Sequence, residues 1–210
     1  MSSVLETLKD AVLKGNAKGA KEALEQALKE KVPVENILNE GLIAGMMIVG
    51  KKFKENEYYV PEVLIAARAM NQAMIILAPM IAQAGIKPRA KVAVGTVKGD
   101  LHDIGKNLVV MMWKGAGFEV MDLGIDAAPE KFVEAAKNGA KVIGLSALLT
   151  TTMVAMKDVI EALKTAGVRD QVKIVIGGAP VTQSYADEIG ADGYAPDAAS
   201  AVDKVNDFIA

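Results

Sequence analysis

The chain has 210 residues, about half of them apolar (51%), and a formal net charge of −2, enough for two small domains or one large one with a substantial core. Its lysines are spread among glutamates without a basic stripe, so no nucleic-acid surface is expected, and no run of about 18 uninterrupted apolar residues suggests a membrane span. Cysteine is absent, which excludes disulfides, iron–sulfur ligation and thiol nucleophiles together; the opening Met-Ser-Ser-Val-Leu-Glu lacks the basic and apolar parts of a signal peptide, and a cytoplasmic protein is expected.

Residues 1–86 read as helix throughout. Val4, Leu5, Leu8, Ala11 and Val12 repeat at helical spacing, as do Ala20, Ala23, Leu24, Ala27 and Leu28, with Gly15-Asn16 between them. Pro33 fits the first turn of a third helix, which carries Val34, Ile37, Leu38, Leu42, Met46, Val49 and Phe53 inward. Gly41 and Gly45 lower its helix propensity, so their use is close packing of a neighbouring helix or ligand. Pro61 opens a fourth helix running to about Gln83. Val60, Leu64, Ala67, Met74 and Ile81 form one apolar stripe on it, and Val63, Ala66, Met70, Ala73 and Leu77 another. Four helices with short connections predict a compact bundle, its methionines read as core filling.

Ala84–Arg89 breaks the pattern as a linker. Strand-like and helix-like segments then alternate. Strands are predicted over Lys91–Val97, Phe118–Asp122, Val142–Leu145, Val172–Ile176 and Asp192–Ala195. Helices are predicted over Ile104–Lys114, Pro129–Asn138, Met153–Thr165, Ala179–Ile189 and Ala198–Phe208. Apolar strands separated by helices predict a parallel sheet covered on both faces, with ligands outside the carboxyl ends of its strands.

The single histidine, His102, lies in Gly99-Asp100-Leu101-His102-Asp103-Ile104-Gly105, in the loop leaving the first strand. An imidazole between carboxylates at that edge is placed to ligate a metal or to act as a base. Asp100 can hold one ring nitrogen and leave the other free, while Gly99 and Gly105 allow a bulky ligand near the backbone. Ser146 to Thr152 follow the third strand and Gly177-Gly178 the fourth, so three polar or glycine-rich loops meet on one edge. Taken singly these residues have plainer readings: Gly177-Gly178 a turn, Ser146 a buried hydroxyl, Thr150 or Thr152 a helix cap. Asp103 reads as a helix N-terminal charge and Trp113 as sheet packing.

Together they resemble the cobalamin-binding module of corrinoid proteins and of cobalamin-dependent methionine synthase. Its marks are Asp-x-His-x-x-Gly, Ser-x-Leu after the third strand and Gly-Gly after the fourth. They stand here as Asp100-Leu101-His102-Asp103-Ile104-Gly105, Ser146-Ala147-Leu148 and Gly177-Gly178. Glu57-Tyr58-Tyr59-Val60-Pro61 matches the family's cap domain, so the resemblance covers nearly the whole chain. It implies an α/β protein with an all-α N-terminal domain: a four-helix cap at 1–86, then a cobalamin-binding, flavodoxin-like or Rossmann-like five-stranded parallel sheet at 87–210.

The resemblance further implies cobalamin or a related corrinoid bound base-off, His-on, with His102 as the lower axial ligand of cobalt and the displaced nucleotide tail threaded into a slot. Gly177 and Gly178 would leave that slot clear, and Ser146 and Thr150 would offer it hydroxyls. Gly99, Leu101, Asp103, Gly105 and Leu148 belong to the same motifs. Asp100 would accept a proton from His102, with Thr152 in the relay position where methionine synthases use serine. Tyr59, Val60 and Leu64 would shield the upper face, with Met70 or Met74 as further candidates, and Ala84–Arg89 would be the hinge.

The implied activity is methyl carriage by a non-catalytic subunit. Co(I) takes a methyl group from a donor-specific methyltransferase, and methyl-Co(III) passes it to an acceptor methyltransferase using tetrahydrofolate or a thiol. A reductive activase is the third expected partner. This is the position of small corrinoid proteins in methanol, methylamine or aryl-ether O-demethylase systems of one-carbon metabolism. Alternatives are a cobalamin-sensing regulator, for which the charge pattern supplies no DNA-binding segment, and the B12-binding subunit of a mutase, against which the four-helix half counts. A phosphoryl receiver would want an aspartate after the third strand, where Ser146 stands.

Overall fold

The computed structural model describes residues 3–210, which divide into two compact units, one running to Pro88 and including Gly115–Gly117, the other formed by Arg89–Lys114 and Phe118–Ala210. In the helical unit, α1 (Ser3–Leu13) and α2 (Ala17–Lys29) are joined through Gly15 at φ +66°. Asn16 caps α2, its side-chain oxygen accepting the Gly19 N–H at 2.9 Å. The third rod differs from its prediction in two ways. Pro33 stands just before the first turn, as the cap of α3 (Val34–Asn36), and the helix then widens into a π-helical stretch, Ile37–Ile43, before α4 (Ala44–Lys54). Ile37 and Leu42, both fully buried, are five residues apart, the spacing of a π turn.

Gly41 and Gly45 face α1. A Cβ on Gly41 would come within 2.7 Å of the Leu8 side chain, and one on Gly45 within 3.0 Å of Val12, so the close helix approach expected from these glycines is present. In α5 (Val60–Gln83) the stripe Val63, Ala66, Met70, Ala73 and Leu77 is buried against the other helices. Leu64 on the second stripe is exposed, and Val60, Met74 and Ile81 are half-buried. By length and composition α5 could cross a membrane, but Glu62, Arg68 and the buried stripe give it the character of a bundle helix.

The second unit is a five-stranded parallel sheet in the order β2-β1-β3-β4-β5, the flavodoxin-like arrangement. Its elements in chain order are β1 (Lys91–Thr96), α6 (Ile104–Gly115), β2 (Glu119–Asp122), α7 (Pro129–Lys137), β3 (Val142–Ser146), α8 (Val154–Thr165), β4 (Lys173–Gly177), α9 (Gln183–Ile189), β5 (Gly193–Tyr194) and α10 (Ala198–Ile209). The central strands are almost wholly apolar because helices cover both faces. Trp113 is fully buried on the sheet, its ring 2.9 Å from where a Cβ on Gly144 would lie, which is the packing role expected of it.

Helix α9 starts four residues later than predicted. Gly178 closes a turn by accepting the Val181 N–H, and Thr182 caps the helix, its hydroxyl accepting the Tyr185 N–H at 3.2 Å. Register then positions the site. Thr96 pairs with Ser146, and Ser146 with Gly177. Three strands therefore end level, and their loops leave one edge on either side of the β1/β3 switch point.

Candidate functional site

The centre of this edge is a buried carboxylate. Asp100 is 0% exposed. Its Oδ1 accepts the His102 backbone N–H at 3.0 Å and lies 2.8 Å from His102 Nδ1. Its Oδ2 accepts the N–H groups of Leu148 and Leu149 at 2.8 and 3.3 Å and the Thr152 hydroxyl at 2.6 Å. Burial pushes the Asp100 pKa up, but the hydrogen bonds from Thr152, the His102 and Leu148 backbone and the His102 ring outweigh it and hold the group well below the usual carboxylate range. An ionised carboxylate only accepts, so Nδ1 is the donating ring nitrogen of His102, and in the neutral imidazole Nε2 carries the lone pair. The ring is 49% exposed, and Nε2 is the nitrogen available to a ligand.

The loop carrying this pair is held from two sides. The Thr96 hydroxyl donates to the His102 carbonyl at 2.8 Å. From the β2–α7 loop, Asp126 accepts the Gly99 N–H at 2.7 Å through Oδ1 and donates its own N–H to the Asp100 carbonyl. Neither Thr96, Asp126 nor the Leu149 N–H was singled out by motif spacing. Backbone donors leave no mark in sequence, and an aspartate in a loop with a nearby glycine, as in Gly124-Ile125-Asp126, has the composition of an ordinary turn.

Apolar side chains crowd the same edge in the open. Leu101 is 68% exposed and Ile104 72%, with Ile125, Leu148, Leu149 and Val154 exposed beside them. A set of this kind on four neighbouring segments marks a surface for an apolar partner.

Three comparisons with known proteins bear on that partner. A B12-binding domain model matches residues 90–203, and a second B12-binding domain model matches 4–78. The chain belongs to the B12-binding domain family. As a B12-binding protein it is 42% identical over 211 residues to a corrinoid protein of Desulfitobacterium hafniense, covering 99% of this chain and 98% of that one. It is 45% identical over 208 residues to dimethylamine corrinoid protein 2 of Methanosarcina acetivorans, covering 98% and 96%. Among solved structures it resembles a chain of the methanol:cobalamin methyltransferase complex from Methanosarcina barkeri, with a TM-score of 0.88 and 27% identity over 99% of this chain and 80% of that one.

The donor set fits a corrinoid. Among the described residues no group of three or more His, Cys, Asp or Glu side chains could hold a metal ion. The site offers one imidazole nitrogen, which suits a metal that brings its remaining ligands in a macrocycle and not a bare ion. A Cβ on Gly105 would meet nothing within 4 Å. The fold therefore does not demand glycine there, and the open space beside His102 is available to a ring.

The other predicted residues divide into two sets. Ser146, half-buried at the end of β3, and exposed Thr150 lie on the same edge, and exposed Asp103 accepts from Asn107 at the start of α6. Gly177 and Gly178 have a reason internal to the protein. A Cβ on Gly178, at φ +128°, would lie 1.8 Å from the Ala147 carbonyl oxygen, and one on Gly177 2.9 Å from that of Ala195. Tyr59, Val60 and Leu64 belong to the helical unit, Tyr59 and Leu64 exposed and Val60 half-buried; Met70 is spent in its core.

Proposed function

We propose that this protein binds a corrinoid with His102 Nε2 as the ligand on cobalt and carries a methyl group between methyltransferases. The observation that carries this reading is the ionised, five-times-bonded Asp100, which fixes one tautomer of the sole imidazole and turns its bare nitrogen outward. When bound, the corrinoid supplies a cobalt able to accept a methyl group from one protein and release it to another.

The chain's own residues do the rest. Asp100 holds the Nδ1 proton and so raises the donor strength of Nε2. Thr152 and the Leu148 and Leu149 amides keep Asp100 charged, which sets how far that proton is shared. Leu101, Ile104, Leu148 and Leu149 exclude water from the imidazole side of the ring, and Ser146 and Thr150 offer hydroxyls to the nucleotide tail. Tyr59, Val60 and Leu64 are the helical unit's contribution to shielding the reactive side, with Ala84–Arg89 as the hinge. Similarity to a dimethylamine corrinoid protein favours a methylated amine as the donor, selected by a donor-specific methyltransferase. An acceptor methyltransferase with a tetrahydrofolate or thiol acceptor and a reductive activase complete the partner set. Action is in the cytoplasm.

The test is to load the protein with hydroxocobalamin under reducing conditions and record electron paramagnetic resonance of the Co(II) state. The reading expects hyperfine splitting from an imidazole nitrogen that disappears in His102→Gln. A bound corrinoid still coordinated by its own base, with unchanged splitting in His102→Gln, overturns it. With the cobalt further reduced to Co(I) by an added chemical reductant, and a methylamine:corrinoid methyltransferase and methylamines supplied, methylation of the bound corrinoid is expected.

A further inference from the structure

We propose that Lys106 is a positioning residue that holds the His102 loop for coordination, through an ion pair with Asp122 that grips the loop at both ends. The proposal rests on the reading of His102 as the cobalt ligand and adds residues outside the motif triad.

Lys106 is placed where a lysine is unfavourable. It is 3% exposed, and it and Asp100 are the only buried charged side chains among the described residues. It is the third residue of α6, where the helix dipole opposes a cation. Its Nζ donates to both oxygens of Asp122 at 2.7 and 2.9 Å and to Asn107 Oδ1 at 2.7 Å.

From this pair the hydrogen bonds run in two directions. Forward, Asn107 donates its side-chain amide to Asp103 Oδ2 at 3.0 Å and its backbone N–H to the Asp103 carbonyl at 2.7 Å, securing the residue after His102. Backward, Asp122 Oδ1 accepts the Gly124 N–H at 3.0 Å, which orders the β2–α7 loop. Asp126 of that loop then holds Gly99 and Asp100, before His102. One ion pair thus anchors both flanks of the two-residue segment Leu101-His102, which carries the ligand. Burial pushes the Asp122 pKa up, while Lys106 and the Gly124 amide pull it lower, so the net shift keeps Asp122 charged.

A merely structural role predicts something different. Replacing a buried ion-pair member by an apolar side chain of similar volume is often neutral or stabilising only when the partner's charge is also removed, or can reach water. Asp122 is 39% exposed, so Lys106→Met should fold. The experiment loads wild type, Lys106→Met, Asp122→Asn and Lys106→Arg with hydroxocobalamin and measures, in the Co(II) state, the fraction with imidazole-nitrogen splitting, beside thermal unfolding of each corrinoid-free protein.

The expected result is a shift of about 10-fold or more toward imidazole-free cobalt in Lys106→Met and Asp122→Asn, without a matching loss of Tm, and partial recovery in Lys106→Arg. Full splitting in Lys106→Met overturns the proposal, as does a loss of splitting that follows Tm across the series. If Lys106→Met does not fold, Asp122→Asn decides alone, and full splitting there also overturns it. Absence of imidazole splitting in wild type would instead defeat the assignment of His102, so the two failures are distinct.

Discussion

The two ends of the same parallel sheet use their side chains in opposite ways. At the amino ends of the strands, charge is paired and reaches solvent: Lys91 with Glu119 at 3.1 Å, Lys173 with the half-buried Asp192 at 3.2 Å. A cavity of about 510 Å³ there, lined by Arg89, Lys91, Lys141 and Lys173 among others, is open and bordered by both signs of charge. At the carboxyl ends the order is inverted. An aspartate and a lysine are buried, while leucine, isoleucine and valine stand in solvent. Burying charge costs several kcal/mol per ion unless hydrogen bonds offset it, and exposed apolar groups forgo burial energy. The chain accepts both at one edge of the sheet only, which is how the edge proposed to hold the corrinoid differs from the opposite one.

Substitutions at the two edges should therefore differ in size and in kind. The largest effect is expected from Gly178→Ala. A Cβ there strikes the Ala147 carbonyl at a φ of +128°, and strain plus overpacking should remove about 3–5 kcal/mol or prevent folding; near-wild-type urea unfolding would break the close-approach argument. His102→Ala should keep the fold and lose imidazole coordination, with corrinoid affinity or methyl transfer falling about 10- to 100-fold, measured by titration and by transfer from a methylamine methyltransferase.

Asp100→Asn should cost about 1–3 kcal/mol near neutral pH, because an amide cannot accept from every donor now facing the carboxylate. The sign of its pH dependence follows from the lowered pKa of the folded state. The wild-type advantage is complete above the unfolded-chain carboxylate value of about 3.9 and fades as pH falls toward the lower folded value. Urea unfolding of both proteins at about pH 7 and about pH 3 should show the gap narrowing in acid; a constant gap would mean that Asp100 is not the charged, hydrogen-bonded group described here.

Gly105→Ala separates fold from ligand. The added methyl meets nothing in the protein, so stability should rise by about 0.5–1 kcal/mol while corrinoid affinity falls; gain in both would remove the argument that this space serves the ring. The smallest effect is expected at the opposite edge. Lys141→Ala should stay within about 0.5 kcal/mol of wild type and leave corrinoid binding unchanged, and a larger change by titration would show that the two edges are less different than proposed.

Much of this edge is legible in the sequence. The apolar runs, the helical spacing between them and the polar loops after β1, β3 and β4 gave a parallel sheet with His102 at its carboxyl end, because periodicity reports local burial directly. The pairing of Asp100 with His102 was legible because the two are separated by one residue. The widened turn at Ile37–Ile43 was not, since apolar spacing in a helix of mixed burial reads as α unless the five-residue interval is examined. The ion pair of Lys106 with Asp122 was missed for a similar reason: a lysine at the start of an amphipathic helix reads as surface, and only its neighbours bury it.

By itself the sequence determined the alternation of elements, the separation of a helical half from an α/β half, and the place of its one imidazole at the end of the first strand. The tertiary structure decided which donors reach Asp100, why Gly178 has no side chain, and where the buried lysine finds its partner. These depend on strand register, which brings Leu148 and Thr152 to a carboxylate 48 and 52 residues away. No local pattern encodes a distance of that kind, because it is set by how the whole sheet packs.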